Sequence, residues 1–332
     1  MTRKLRYSLA ILAMTFFVGQ SWLLLAQSAP TAGGTETLRS FRLRLNQCLP
    51  LNSHTAAQPT ATAGSYSDAV ALGLAGTKVY QFRSVDYPGA TGSFLQDYNE
   101  KVAVGDFNYP NTGFSFYFDG TAYHILKVLH STDNIIDGIN TSGQMVGAYV
   151  TSKENVRGFL YDGTKFVTLN FPHSHGTYAN GINDSGLIVG SYLDSNNAEH
   201  GFLYKAGVFT RLDFPGATQT VAWGINSTGK IVGYYDISGG GGGFLFEKGV
   251  YYPIAFPNAK NTSANGINDA GAIAGSFNDT SGQHGFIYSG GTYTQVDVPG
   301  AANTTLYRIK NNGSVAGYLE DSLGEFHGII GH

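Results

Sequence analysis

Short apolar segments recur along the chain between polar turns rich in glycine, and their spacing is regular. A glycine closes an apolar pair at Gly105, Gly147, Gly190, Gly233, Gly275 and Gly317, at steps of 42 or 43 residues. Self-similarity at a fixed period of this size is the signature of a repeat architecture. The pattern therefore indicates six consecutive units.

Each unit predicts four short strands. A polar turn ending in glycine lies before the marker glycine, at residues 140–143, 183–186, 226–229, 268–271 and 310–313. Such a turn suits a hairpin whose last residue adopts a positive φ. The first unit departs from this pattern at residues 98–101. Downstream, a Gly-aromatic pair such as Gly201-Phe202 opens a third strand, and a fourth strand ends at a proline such as Pro215.

Four strands per unit match one blade of a β-propeller, a fold whose blades form rings of four to eight. The last unit stops after its third strand, while residues 78–90 show a fourth-strand pattern with no unit before them. We expect residues 79–87 to lie beside residues 326–330, which leaves no sheet edge unpaired. The predicted fold is all-β, a six-bladed β-propeller of four-stranded blades at residues 77–332, with the ring closed by an N-terminal strand that completes the last blade. An open solenoid is the alternative.

The N-terminus has the order of a secretory signal. Arg3, Lys4 and Arg6 precede an uncharged, mostly apolar run at residues 7–25 and then small residues at 26–30. We expect residues 1–28 to be a signal peptide or an uncleaved membrane anchor. Residues 29–76 carry no repeat and are rich in Ala, Thr, Ser, Gly and Pro, which predicts a flexible linker. The protein is therefore expected to be secreted or held at the cell surface.

Composition limits the classes of molecule that the protein is expected to bind. Charged residues are only 13% of the chain and glycines number 45, which suits strands joined by tight turns. Cys48 is the only cysteine, so no intramolecular disulfide is available. Removal of residues 1–28, with three basic and no acidic residues, takes the formal net charge from −3 to −6. This argues against nucleic acid and anionic lipid as partners, leaving an uncleaved N-terminus as the only membrane contact. We expect a monomer without a cofactor.

The repeated motifs resemble a known family. They are the Gly-Ile-Asn turn, the apolar pair before the marker glycine, the segment 200–204 (His-Gly-Phe-Leu-Tyr) and the ending 213–217 (Asp-Phe-Pro-Gly-Ala). In these motifs, over residues 78–332, the chain is similar to the HAF-repeat family of extracellular bacterial proteins. The resemblance implies an exported bacterial repeat protein with a propeller-like fold, and it brings no catalytic residues with it.

Repetition separates structural residues from candidate site residues, because a residue unique to one unit is freer to serve a site. His200, His284 and His327 each precede the third-strand glycine, which indicates a blade-building role, for example a bond to a loop carbonyl. The position before the Gly-Ile-Asn element varies instead, and holds Leu95, Asp137, Asn180, Trp223, Asn265 and Tyr307. Aromatic rings and hydrogen-bonding groups together suit recognition of sugars or peptides. The alternative is that these side chains pack between blades.

Two further sets are unique to their units. Arg308 and Lys310 replace the Gly and Asn of the repeated element in the last unit, and two cations there suit an anionic ligand. Drift in a terminal blade is the alternative. His130, His173 and His175 lie in two consecutive loops between blades, and imidazoles at such places are weak candidates for a zinc or copper site. A solvated role is the alternative.

Function remains open between three hypotheses. The first is a non-catalytic binding module for a carbohydrate, a cell-wall component or a protein. The second is a propeller lyase or hydrolase with its site at the channel mouth, built from His130, His173, His175, Asp137 and Arg308. The third is a structural surface module without a discrete ligand. The Gly-x-Ser-x-Gly elbow of serine hydrolases is absent from the sequence, and no catalytic residue is assigned.

Overall fold

The computed structural model describes residues 69–71, 79–109, 112–128, 130–238 and 240–332. The expected signal peptide and most of the expected linker lie outside the described residues. Every regular element of the described part is a β-strand, and no helix there is long and apolar enough to cross a membrane. The all-β class predicted from the sequence is confirmed.

The described residues form 25 strands, most of them five to nine residues long. In chain order they are β1 (Ala69–Ala71), β2 (Tyr80–Ser84), β3 (Gly92–Tyr98), β4 (Ala103–Tyr109), β5 (Thr112–Phe118), β6 (Tyr123–Leu126), β7 (Ser131–Ile139), β8 (Met145–Thr151), β9 (Val156–Tyr161), β10 (Phe166–Leu169), β11 (Gly176–Ile182), β12 (Ile188–Leu193), β13 (Glu199–Lys205), β14 (Val208–Leu212), β15 (Gln219–Ile225), β16 (Ile231–Ile237), β17 (Gly240–Glu247), β18 (Val250–Ile254), β19 (Asn261–Ile267), β20 (Ile273–Asn278), β21 (Gln283–Ser289), β22 (Thr292–Gln295), β23 (Asn303–Ile309), β24 (Val315–Glu320) and β25 (Phe326–Gly331).

These strands make antiparallel four-stranded sheets, numbered here in chain order. Sheet I holds β3–β6, sheet II β7–β10, sheet III β11–β14, sheet IV β15–β18 and sheet V β19–β22. Sheet VI holds β23, β24, β25 and β2, with β1 added at its outer edge. One parallel bridge, between Phe326 and Gly92, links sheets VI and I. The four strands per repeat that the sequence predicts are thus present.

Sheet VI combines strands from both ends of the repeat region. Phe82 pairs with Gly331, Arg83 with Ile330 and Ser84 with Ile329, so β2 lies antiparallel to β25. This is the pairing that the sequence predicts. Strand β1 was not expected, because the segment Ala69–Ala71 falls in the predicted flexible linker. It pairs with β2 and covers the edge that β2 would otherwise expose.

The marker glycines mark the closest approach of two strands. In each sheet the first strand carries a bulge opposite the marker glycine, where one extra residue stands against the second strand. A Cβ on Gly190 would lie 1.9 Å from the carbonyl oxygen of Tyr178 and 2.8 Å from the ring of Phe202. Because no side chain fits there, only glycine is compatible with the bulge, which explains the regular spacing.

The first sheet differs from the others by one residue. Four residues separate the paired Tyr98 and Ala103, whereas five separate Ile182 and Ile188. The shorter hairpin moves the bulge to Gln96. The sequence-based assignment of Leu95 to this position was wrong, because it assumed hairpins of equal length. Leu95 instead pairs with Gly105 and is fully buried.

Each sheet also holds the next one through the turn after its fourth strand. In sheets II, III, IV and VI an aromatic ring in that turn stacks on the second strand of the following sheet, as Phe214 does on Tyr235 with centroids 3.6 Å apart, whereas sheets I and V carry Val128 and Val298 there. The amide of Phe214 donates to the hydroxyl of Thr220 at the start of that sheet. Tyr87, which follows β2, stacks on Phe107 in the same way at 3.9 Å. Sheets VI and I are therefore joined by the same contact as sheets II and III, III and IV, and IV and V.

Candidate functional site

A directional series of hydrogen bonds connects the inner hairpins of successive sheets. The side-chain amide of one asparagine donates to the backbone carbonyl of the equivalent residue one sheet later. The series runs from Asn99 to Asn140 (2.9 Å), Asn140 to Asn183 (3.3 Å), Asn183 to Asn226 (2.9 Å), Asn226 to Asn268 (3.0 Å) and Asn268 to Lys310 (3.2 Å). Lys310 Nζ then donates to Asp97 Oδ1 in sheet I at 2.7 Å. These contacts link sheets I to VI and return to sheet I.

Arg308 lies where the first strands of the sheets converge. Glycine occupies the equivalent position at Gly138, Gly181, Gly224 and Gly266, and a Cβ on Gly266 would lie 2.6 Å from the carbonyl oxygen of Tyr307. The first strands thus approach so closely that only the last one carries a long side chain at this position. That side chain is 11% exposed.

The guanidinium of Arg308 bridges four sheets besides its own. It donates to the carbonyl oxygens of Asp137 and Asn180 at 2.7 Å each, and to those of Asn265 and Tyr307 at 3.0 Å each. Its Nε lies 3.3 Å from Asp97 Oδ2. A guanidinium has five N–H donors. Four hydrogen bonds reach backbone carbonyls and Nε lies beside a carboxylate, so the geometry favours a structural role for Arg308 over capture of an external anion.

Asp97 is the buried counter-ion of both cations. Its side chain is 5% exposed, and its oxygens also accept the backbone amides of Tyr98 (2.8 Å) and Ile139 (3.1 Å). Burial alone would raise the pKa of Asp97. The charges of Lys310 and Arg308, with the hydrogen bonds from Lys310 and Ile139, outweigh burial and hold this pKa below its ordinary value. The carboxylate thus stays ionised at neutral pH.

The predicted ligand-binding residues occupy the bulge positions around Arg308, but they differ in availability. Asn180 and Asn265 are buried, and their amides donate to the carbonyls of Ala222 and Leu306 in the next sheet. Asp137, Trp223 and Tyr307 are half-buried, as is Gln96 at the same position of sheet I. The polar side chains of the first pair are therefore engaged between sheets, while the others keep solvent-accessible surface.

The predicted metal-binding histidines are not brought together. His130 and His173 occupy turns after sheets I and II with positive φ, at 60° and 61°, where the turns after sheets III, V and VI carry glycine. Both are exposed, as is His175, whose Nδ1 lies 3.1 Å from Asn197 Oδ1. None of the three belongs to a group of ligand atoms within 4.8 Å of one another in the described residues. They also precede the first strands, at about 17–23 Å along the chain from the bulges.

Each of the three recurring histidines bonds the third strand of its sheet to the segment that follows the fourth strand. Nδ1 of His200, His284 and His327 lies 2.9–3.0 Å from a carboxylate of Asp213, Asp297 and Asp86 respectively. The sequence predicted a blade-building role with a loop carbonyl as partner. The partner is instead the aspartate that closes the fourth strand. In sheet VI, this bond ties the C-terminal strand to the N-terminal segment.

Asp97 was missed by sequence reasoning. It replaces the glycine of the repeated element in the first unit, as Arg308 does in the last, so the complementary charges were visible in the sequence. The one-residue shift of the first hairpin hid the equivalence of the two positions.

No protein-family model matches the chain, and no curated protein matches it by sequence. Among solved structures, AofleA from Arthrobotrys oligospora is 12% identical with a TM-score of 0.50, over 72% of this chain and 81% of that chain. The β-propeller domain of the Trilobed protease from Pyrococcus furiosus is 9% identical with a TM-score of 0.48, over 73% and 94%. The fucose-specific lectin from Aleuria aurantia is 14% identical with a TM-score of 0.43, over 68% and 85%. At such identities, the likeness to AofleA concerns the fold alone.

Proposed function

We propose that this protein is an exported, non-catalytic β-propeller of six blades that binds a carbohydrate, a cell-wall component or a protein through its inner strands. The sheets form a ring closed by β2. The series of asparagine bonds that runs from Asn99 to Lys310 and back to Asp97 supports this closure. The basic and then apolar N-terminus supports export, and the repeated motifs support membership of the HAF-repeat family.

The observation that carries the proposed function is the variation at the six bulge positions. Residues around them repeat because they build the sheets, whereas the bulges hold Gln96, Asp137, Asn180, Trp223, Asn265 and Tyr307. Selection for packing alone would favour one solution in every sheet. The four that keep solvent-accessible surface, Gln96, Asp137, Trp223 and Tyr307, combine hydrogen-bonding groups with flat apolar faces around one axis. Sugar rings present hydroxyls and apolar faces that match such a set.

The Arg308 cluster supports a binding role over a catalytic one. The charged groups at this centre, Arg308, Lys310 and Asp97, bond to one another and to the backbone. These groups are therefore held by fold contacts, and general acid–base work would fall to groups elsewhere. We propose that the protein acts as a monomer and that nucleic acid is not its ligand.

A binding screen with the secreted full chain tests the proposal. Glycans and peptidoglycan fragments are titrated against the wild type, Trp223→Ala and the control Tyr252→Ala. Tyr252 lies on the outermost strand of the same sheet and is 49% exposed. We expect Trp223→Ala to weaken binding at least tenfold without a change in melting temperature, and Tyr252→Ala to bind like the wild type.

Other outcomes reject the proposal in distinct ways. Equal binding by Trp223→Ala would show that the bulge positions do not contact the ligand. A lower melting temperature with unchanged affinity would show that Trp223 packs between sheets. Turnover of a bound glycan would replace the binding module by the propeller enzyme.

A further inference from the structure

Three sheets share a histidine between two aspartates. Besides the aspartate at Nδ1, each histidine directs Nε2 toward a second aspartate in the loop between the second and third strands. These distances are 3.5 Å for His200 and Asp194, 3.4 Å for His284 and Asp279, and 3.7 Å for His327 and Asp321. In sheets III and VI this aspartate uses its other oxygen to accept backbone amides of the loop, as Asp321 Oδ1 does from Leu323 and Glu325. Its Oδ2 is thereby held toward the histidine.

Among these three sheets, only sheet VI places a third possible metal ligand beside the histidine and the loop aspartate. Its loop has the same length and turn as the loop of sheet III, where the amide of Asp194 donates to Ala198 as that of Asp321 does to Glu325. The residue at this shared position is alanine in sheet III and glutamate in sheet VI. One ligand atom each from Asp321, Glu325 and His327 lie within 4.8 Å of one another.

We infer that Asp321, Glu325 and His327 form a binding site for a divalent transition-metal ion, of which zinc fits best. Zinc bonds of 2.0–2.2 Å place two tetrahedral ligands about 3.3–3.6 Å apart. His327 Nε2 and Asp321 Oδ2 are already 3.7 Å apart, so the pair needs little movement. One imidazole and two carboxylates leave the fourth position to water. Imidazole ligation favours zinc over calcium, which takes oxygen ligands.

The surroundings of His327 fix the ring for this role. Its Nδ1 lies 2.9 Å from Asp86 Oδ2, and an ionised carboxylate only accepts hydrogen bonds, so Nδ1 is the donor. Histidine ligands of metals commonly donate their second nitrogen to a carboxylate in this way. The site therefore differs from the one predicted at His130, His173 and His175. It stands at the junction of the two ends of the repeat region and is independent of the proposed ligand at the bulges.

Isothermal titration of the chelator-treated full chain with zinc chloride tests the site. The variants are Glu325→Ala, which removes an exposed side chain, and the control Glu100→Ala, which removes an exposed carboxylate from sheet I. We expect Glu325→Ala to weaken the binding of one zinc ion about tenfold or more, and Glu100→Ala to leave it unchanged. Calcium should bind at least tenfold more weakly than zinc. Ala198→Glu should create a second zinc site with His200 and Asp194.

Several results would overturn the inference. These are no zinc uptake by the wild type, unchanged zinc affinity in Glu325→Ala, or calcium affinity equal to that of zinc. Zinc uptake that stays at one ion per chain in Ala198→Glu would contradict the assignment of the loop as the source of ligands. Melting temperatures in the presence of chelator verify that each variant is folded. Glycan binding tests the bulge positions separately, so either proposal can fail alone.

Discussion

Replacement of Arg308 by methionine removes the guanidinium at the convergence of the sheets and keeps an unbranched side chain. Four backbone carbonyls lose a charged donor, and Asp97 loses one of its two cations. Removing one partner of a buried ion pair costs about 3–5 kcal/mol. Lys310 remains beside Asp97 at 2.7 Å, which lowers the electrostatic part of the loss. We therefore expect Arg308→Met to lower the free energy of unfolding by about 3 kcal/mol at pH 7.

The loss should depend on pH in a defined direction. The pKa of Asp97 is held below its ordinary value in the folded state, so its contribution to stability is present above the unfolded pKa of about 3.9. This contribution disappears as the pH falls through the folded pKa. Because Arg308 is one cause of the lowered pKa, the difference in stability between Arg308→Met and the wild type should shrink below pH 4.

Guanidinium denaturation followed by tryptophan fluorescence and far-UV circular dichroism measures the effect, provided that the two transitions coincide. The slope of the free energy against denaturant should not change, because the same surface is exposed on unfolding. Lys205→Met is the control, since Lys205 is an exposed cation at the end of β13. A loss below 1 kcal/mol in Arg308→Met, or an equal loss in Lys205→Met, would refute the structural role of Arg308.

Further expected outcomes concern the bulges, the seam and the histidines. Gly190→Ala should destabilise the protein by about 3 kcal/mol because its Cβ has no room, whereas Gly186→Ala, at φ 74° in open space, should cost about 1 kcal/mol. Thermal melts compare the two variants, and equal losses of stability would contradict the close approach of the strands at Gly190. Deletion of residues 1–85 should expose the edge of β25 and cause self-association, whereas deletion of residues 1–68 should leave a monomer. Light scattering measures both variants, and a monomeric 1–85 deletion would contradict the role of β2 in covering that edge. The hydrogen bond that His327 donates to Asp86 raises the pKa of His327, so its contribution to stability is full below about pH 6.5 and falls as the pH rises through the folded pKa. An NMR titration of His327 that gives an ordinary or lower pKa would contradict this bond.

The sequence predicted those parts of the fold that depend on local repetition. The hairpin glycines adopt positive φ as expected, for example Gly143 at 83° and Gly186 at 74°. The pairing of β2 with β25 followed from counting strands, because one unit lacked a strand that the N-terminus supplied. The turn glycine recurs in five of the six units, so the irregular first unit does not hide the pattern.

Contacts between residues that break the repeat were harder to predict. Arg308 and Lys310 were expected to meet an external anion, and the anion is Asp97, near the other end of the repeat region. The aspartates that bond the histidines recur in the sequence, but spacing alone does not show that the third strand and the end of the fourth face each other. The convergence of the bulges on Arg308 likewise depends on how six sheets pack, which a linear pattern does not encode.

The reach of one arginine also limits how many repeats this sequence can carry. The Arg308 side chain touches carbonyls of sheets II, III and V from its place in sheet VI. In the ring proposed above, insertion of another 42-residue copy would widen the axis and carry those oxygens beyond a side chain of fixed length. Arg308 thus limits the number of repeats. A variant with a seventh repeat should be stable only if Arg308 is replaced by glycine or its acceptors are changed.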